Sequence, residues 1–361
     1  MRVYWEFLHH GRFYRKLVIS GIDRHISRDY KHVAMPRSNG IDVEYNQGIH
    51  VQDSILWLDA PRKTDLGFIS HAHIDPEGRC KKILASEATA ALLRKKIGRG
   101  RALTSPFYRR FSLGELDLEL RPAGHMLGAA QVRITREGSQ LVYTGDFQLV
   151  PSRTAGQAEV LECDVLVMRA TYGLPRHVFP DRREEEARMV DWARRTLDDG
   201  EQPIVFAPPL GKAPELASIF SHHGLPVRVH KSIHQICRIY RAMGVQLPNV
   251  RCLRISPSRG EVVIFPPHLH QSKTIARLRR ARSCVATGRA LDGPDALEQS
   301  PDAAFVLSGH ADHPALLRYA RESGARKIRL SGPAAAPLSA ELTRAGHDAS
   351  VLQPSEQMAL F

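Results

Sequence analysis

Acidic side chains are in short supply in this sequence: 51 Lys and Arg face 38 Asp and Glu, a formal net charge of +13. That balance excludes a chain that repels polyanions, and it favours nucleic acid as a partner, because neutralised phosphates release counterions. Net charge governs non-specific association and solubility, so by itself it locates no site. Cysteine is also sparse. Cys80, Cys163, Cys237, Cys252 and Cys284 show no paired spacing. This excludes a disulfide framework and a cysteine-based zinc site, and the expected compartment is the reducing cytoplasm. No apolar run approaches the roughly 20 residues of a membrane-spanning helix. The first dozen residues are too broken by charge for a secretory leader. Internal repeats, low-complexity tracts and the phosphate-loop pattern G-x-x-x-x-G-K-[ST] are all missing.

Histidine and carboxylate at metal-ligand spacing are what the sequence does contain. Ser70-His71-Ala-His73-Ile-Asp75 closes an apolar run that includes Ile55, Leu56, Leu58 and Phe68. A strand ending there can aim His71 and His73 into one mouth, with Asp75 in the loop beyond. Two imidazoles and a carboxylate suit Zn²⁺, which takes histidine nitrogen and carboxylate oxygen. A lone His-x-His is most often a polar turn, so the later segments carry the argument. Ala123-Gly-His125-Met-Leu-Gly brings a third imidazole between small residues, which let backbone approach a metal closely. Tyr143-Thr-Gly-Asp146-Phe places a carboxylate just past an apolar strand. His71, His73, His125 and Asp146 thus form a candidate ligand set for one ion.

In this order the segments resemble the metallo-β-lactamase superfamily. Ala170-Thr-Tyr-Gly-Leu-Pro175, Leu210-Gly-Lys-Ala213 and Leu307-Ser-Gly-His310-Ala-Asp312 resemble its β-CASP branch, which cuts nucleic acids. Within that branch the chain is most similar to DNA-ligase-associated exonucleases, also described as mRNA 3′-end-processing-factor-like proteins, from about Gly40 to near the C-terminus. The resemblance implies an α/β fold, a metallo-β-lactamase αββα sandwich with an inserted β-CASP α/β domain. It places the discontinuous sandwich at residues 40–174 and 306–361 and the insertion at 175–305. Residues 1–39 remain as a basic N-terminal extension, read as a poorly ordered terminus ahead of a nucleic-acid arm.

The resemblance also implies roles. One metal belongs to His71, His73, His125 and Asp146. A second needs Asp75, Asp146, a histidine directly after Asp75 and a histidine in a C-terminal His-Gly turn. His310 would assist the leaving group, steered by an acidic residue before Thr171-Tyr172-Gly173. Here Pro76, Ser331 and Arg169 stand at those three places. Proline has no ligand atom, a neutral serine hydroxyl binds zinc poorly, and a guanidinium repels it. One zinc is therefore expected, with Arg169 at the rim, paired with Asp75 near His310. Three readings follow, and the third, hydrolysis of a small ester or thioester as elsewhere in the superfamily, has the β-CASP segment and the basic charge against it. The first is a degenerate nuclease serving as a nucleic-acid-binding or partner-binding subunit, with a DNA-repair or RNA-processing protein as its partner. The second is an active single-zinc phosphodiesterase that uses His310, Asp75 and Arg169.

Candidate nucleic-acid contacts come from the middle of the chain. Lys212 follows a buried strand, Pro203–Ala207, and could offer a cation to phosphate. The window Lys273–Arg282 is the most basic, and as a helix it would put Arg279 and Arg282 on one side and Arg280 near Arg277, a pattern that a phosphate-tracking face and a solvated surface helix share. His222, His223, His230 and His234 read as surface or packing histidines, since no carboxylate accompanies them.

Overall fold

Apolar runs separated by Gly, Pro and Asp turns build three large sheets. The computed structural model describes residues 40–75, 80–98, 100–254, 259–278, 280–297 and 300–353, with the backbone of Tyr4–Leu8 and Arg12–Lys16. One six-stranded sheet runs Val43–Tyr45, Ile49–Val51, Leu56–Leu58, Thr64–Phe68, Cys80–Ala85, Ala102–Thr104 in spatial order. A seven-stranded sheet runs Asp348–Val351, Lys327–Ser331, Val165–Arg169, Ser139–Tyr143, Ala130–Arg136, Leu116–Pro122, Arg110–Leu113. Alternation along each strand sends one set of side chains inward. Leu56, Leu58 and Phe68 meet Leu118, Leu120, Val132 and Tyr143 between the sheets, all of them buried. Each such side chain stabilises the fold by about 1.5–3 kcal/mol on leaving water.

Helices close the outer faces. Glu87–Ile97 buries Leu93 and Ile97, and it starts where Ser86 Oγ accepts the Thr89 N–H at 3.1 Å. On the other side, His313–Glu322 and Ala335–Arg344 bury Leu316, Tyr319, Leu338 and Leu342. The expected layered α/β sandwich is present.

The third sheet is all parallel, ordered Val250–Cys252, Val227–Val229, Val262–Phe265, Gln202–Phe206, Ala281–Ala286, Ala303–Phe305. Val262–Phe265 is buried at every residue, as a strand covered on both faces must be. Helices Arg182–Asp198, Lys212–His222 and Lys231–Ala242 pack over its larger core. Among the described residues no helix is long and apolar enough to cross a membrane.

One expectation fails here. The window Lys273–Arg282 is not one helix: only Lys273–Ala276 is helical, and Ala281–Ala286 is a strand. Cys284, Val285 and Ala286 are buried between Gln202–Phe206 and Ala303–Phe305, and that burial overrides the helix preference of Arg and Ala. The helix Ala335–Arg344 and the strand Asp348–Val351 follow the strand Lys327–Ser331. Pro337 sits in the first turn of that helix, where N–H groups have no helical partner to lose. In the separate N-terminal unit, Tyr4–Leu8 pairs antiparallel with Arg12–Lys16, with Phe7 opposite Phe13. The other cations of residues 1–39, Arg2, Arg24, Arg28, Lys31 and Arg37, lie outside the described residues.

Candidate metal and anion site

Loops at one rim of the sandwich bring the singled-out residues together. His71 and His73 follow Thr64–Phe68, His125 follows Leu116–Pro122, and Asp146 follows Ser139–Tyr143. Arg169 ends its strand, and His310 lies in the loop after Ala303–Phe305. Two glycines permit the approach. A Cβ on Gly145, whose φ is +56°, would stand 2.6 Å from Ser70 Cβ. One on Gly309 would stand 2.6 Å from the His125 carbonyl oxygen.

Ligand atoms of His71, His73 and His125 lie within 4.8 Å of one another, and so do those of His125, Asp146 and His310. His73 Nδ1 is 3.1 Å from His125 Nε2, and His71 Nε2 is 3.4 Å from Asp146 Oδ2. The outer nitrogens assign the tautomers. His125 Nδ1 meets the Gly309 carbonyl at 2.8 Å, and His73 Nε2 meets the Leu210 carbonyl at 3.3 Å. A carbonyl only accepts, so both of those nitrogens carry the proton. His71 Nδ1 lies 2.8 Å from Ser70 Oγ, which donates its own proton to Asp59 at 2.5 Å. His71 Nδ1 is therefore a donor as well. Lone pairs of three imidazoles then converge with no proton between them, and Asp146 Oδ2 lies beside His71. Such a set repels itself unless a cation sits within it, and imidazoles held from behind in this way are the usual arrangement of metal ligands.

Electrostatics agree with this reading of the donors. Burial holds His71 down to about 3, against partial relief from Asp146, and it pushes His125 well below the imidazole range. His73 is lowered too, by burial first. Neutral imidazole is the ligand form. Burial alone would raise Asp146, but His310, His125 and His71 outweigh it and hold the carboxyl far below the usual range.

Arg169 is at the rim, but its partner is not the expected one. Its Nε lies 2.7 Å from Asp146 Oδ1, an ion pair in which neither atom makes an aligned hydrogen bond. Asp75 instead meets Lys96 Nζ at 2.9 Å. The physical reason is the loop: Asp75 turns towards the last turn of Glu87–Ile97, and Asp146 is the nearer buried acid. Ser331 pairs in register with Arg169 on the neighbouring strand, so its small side chain leaves room for the guanidinium. His310 Nε2 is 3.5 Å from Asp146 Oδ2, and its side chain is 29% exposed. Pro76 lies outside the described residues.

The candidate phosphate contacts fare differently. Lys212 is not a free cation. Its Nζ donates to Glu215 and, at 3.0 Å, to the Leu307 carbonyl, in a network with Arg182 and Ser152. Burial lowers the Lys212 ammonium, while the charges of Lys212 and Arg182 hold buried Glu215 down to about 2. The turn at Leu210 nonetheless touches the site, through His73. Arg282 is on a strand and paired with Glu201. Arg277 and Arg280 are exposed, and Arg279 lies outside the described residues. These arginines form no helical face.

Sequence reasoning missed Asp59. It accepts from the Ser70 N–H at 2.8 Å, from Ser70 Oγ and from Tyr143 Oη at 2.8 Å, and so holds His71 from behind. Burial pushes it up to about 6. Its φ of 44° is a left-handed conformation rare outside glycine, as strained residues at sites often are. The available signal was an acid directly after the apolar strand Leu56–Leu58, the same signal that located Asp146.

Comparison with known proteins places these residues in context. No protein-family model matches the chain. It is 31% identical over 322 residues to a probable DNA ligase of Opitutus terrae, covering 88% of this chain and 32% of that protein. It is 24% identical to an RNase J-like protein of Methanocaldococcus jannaschii, covering 74% of this chain and 72% of that one. Cleavage and polyadenylation specificity factor 73 of Drosophila melanogaster is 25% identical over 55% of the chain, which spans 35% of that factor. The chain thus spans about a third of the length of the first of these relatives.

Proposed function

Because the chain belongs to the β-CASP branch of the metallo-β-lactamase superfamily, we propose that it binds nucleic acid at a one-zinc site and has lost the two-metal hydrolysis of a nuclease. The observation that carries this reading is Arg169, whose cation pairs with Asp146 Oδ1, on the carboxylate that a second metal would need. His71, His73, His125 and Asp146 would hold the zinc, and their converging lone pairs fit it. A zinc ion there supplies positive charge against a phosphate. Arg169, with a side chain 40% exposed, adds a planar cation that can face a phosphate oxygen while it pairs with Asp146. In this reading residues 40–174 and 306–361 form the sandwich domain, and 175–305 form the β-CASP insertion. The names of the relatives point to DNA joining and RNA processing, so a protein of one of those processes is the expected partner.

Labelled single- and double-stranded DNA and RNA, incubated with the protein and zinc or manganese, test the proposal. Binding without turnover is the expected result. Turnover abolished by His71→Ala would overturn it in favour of a single-zinc phosphodiesterase. One observation favours that second reading: His310 stays within reach of Asp146 and open to solvent, where it could protonate a leaving group.

A further inference from the structure

The parallel sheet ends on one side in the edge strand Val250–Cys252. A cleft of about 570 Å³ opens there, walled by Arg228, Arg251, Arg254 and His234, with Val250 and Leu253 beside them. No acid lines it. Arg228 and Arg251 are register partners on adjacent strands, so their side chains leave the same face roughly 5 Å apart. Like charges in that position repel. Glu261 is paired with Arg228. Arg251 and Arg254 are exposed, and among the described residues neither forms an ion pair with an acid. A single charged residue is enough to keep an edge strand from pairing with another sheet. Converging arginines go beyond that requirement and make an anion site.

The surroundings extend the charge. His234 comes from Lys231–Ala242, which buries Ile233, Cys237 and Tyr240 and leaves Lys231 and Arg238 exposed. That helix packs against Glu87–Ile97, whose last turn carries Arg94, Lys95 and Lys96. Lys96 in turn holds Asp75, two residues beyond His73. Cations therefore stand on each of two packed helices, one of which supplies His234 to the cleft and the other Lys96 to Asp75.

We propose that the cleft is a second nucleic-acid contact, gripping the sugar–phosphate backbone of a single strand whose other part lies at the His/Asp site. This rests on the nucleic-acid reading above. Apart from the His234 ring, no aromatic side chain among the described residues lines the cleft, so its main contribution is to backbone and independent of sequence.

Fluorescence anisotropy on the zinc-loaded full chain provides the test, with oligothymidylate of about 30 nucleotides and of about 6 as probes. Affinity is followed against salt for the wild type and for Arg251→Gln/Arg254→Gln. For the long strand the slope of log affinity on log salt should become shallower by about 1.4, two phosphates at about 0.7 each. The short strand should bind both proteins alike, and Arg251→Lys/Arg254→Lys should keep most of the slope. An unchanged long-strand slope would overturn the cleft, as would an equal loss for the short strand. A wild type that binds neither probe would instead sink the nucleic-acid reading, and the cleft with it. The circular dichroism melting midpoint checks that each variant is folded.

Discussion

At the scale of single residues, the two oxygens of Asp146 face different partners: Arg169 on Oδ1, and His71 and His310 on Oδ2. Arg169→Ala leaves a buried carboxylate oxygen without its cation. Because the guanidinium is 40% exposed, solvent screens the pair, and the loss falls below the range for buried pairs, at about 1–3 kcal/mol. Urea denaturation of metal-free protein measures it, and an unchanged midpoint would count against the pair. The same measurement against pH reads the imidazoles. Buried His71, pushed down to about 3, takes up a proton less readily than in the unfolded chain, and lowered His73 and His125 act alike. Their stabilisation is full above pH 6.5 and is lost as pH falls towards 3. Asp59, raised to about 6, works the other way, favouring the fold at low pH and losing that contribution as pH rises from 3.8 through 6. The imidazoles outnumber it. Stability of the chelated protein should therefore rise with pH across that window, and more steeply in Asp59→Asn. A flat or falling profile would mean the histidines are not buried neutral.

At the scale of elements, Lys212 opens the helix Lys212–His222 and ties it to the loop that follows Ala303–Phe305, through the Leu307 carbonyl. Lys212→Met removes one of two cations from buried Glu215. Breaking a buried pair costs about 3–5 kcal/mol, and Arg182, which stays, should hold the loss to the low end. The thermal midpoint should fall, while the salt dependence of nucleic-acid binding stays as in the wild type. A shallower salt slope with unchanged stability would show that Lys212 reaches phosphate after all. Arg282 gives the contrasting lesson. Its window has helix-forming composition, yet Cys284–Ala286 completes a parallel sheet, and strand pairing there settles where the arginines point.

At the scale of the whole molecule, the ligand set predicts metal content. Protein purified without added metal should carry about one zinc per chain, and the His71→Ala/His73→Ala variant almost none. Metal analysis giving two tightly held ions would overturn the one-metal site. The converse change, Pro76→His, Ser331→His and Arg169→Glu together, should raise the content towards two. Nuclease activity gained in that variant identifies the parent as a degenerate nuclease, whereas activity lost identifies Arg169 with a working single-metal mechanism.

Apolar strand runs and the grouping of His71, His73, His125 and Asp146 were legible in the residues themselves, and the family resemblance marked Arg169 and Ser331 as departures. Those signals are local: an apolar strand announces itself, and a ligand just past its end needs only a turn. Pairings across the chain were decided by the tertiary structure. Arg169 found Asp146 rather than Asp75 because a parallel register put Ser331 beside it and a loop carried Asp75 to Lys96. Asp59 became the support of His71 because two sheets meet at Ser70 and Tyr143. Lys212 was withdrawn from solvent by Glu215, three residues on, and by a carbonyl 95 residues away. Sequence spacing limits which residue types can serve a site. Which charge neutralises which is set by distance and burial, and those exist only once the layers have packed.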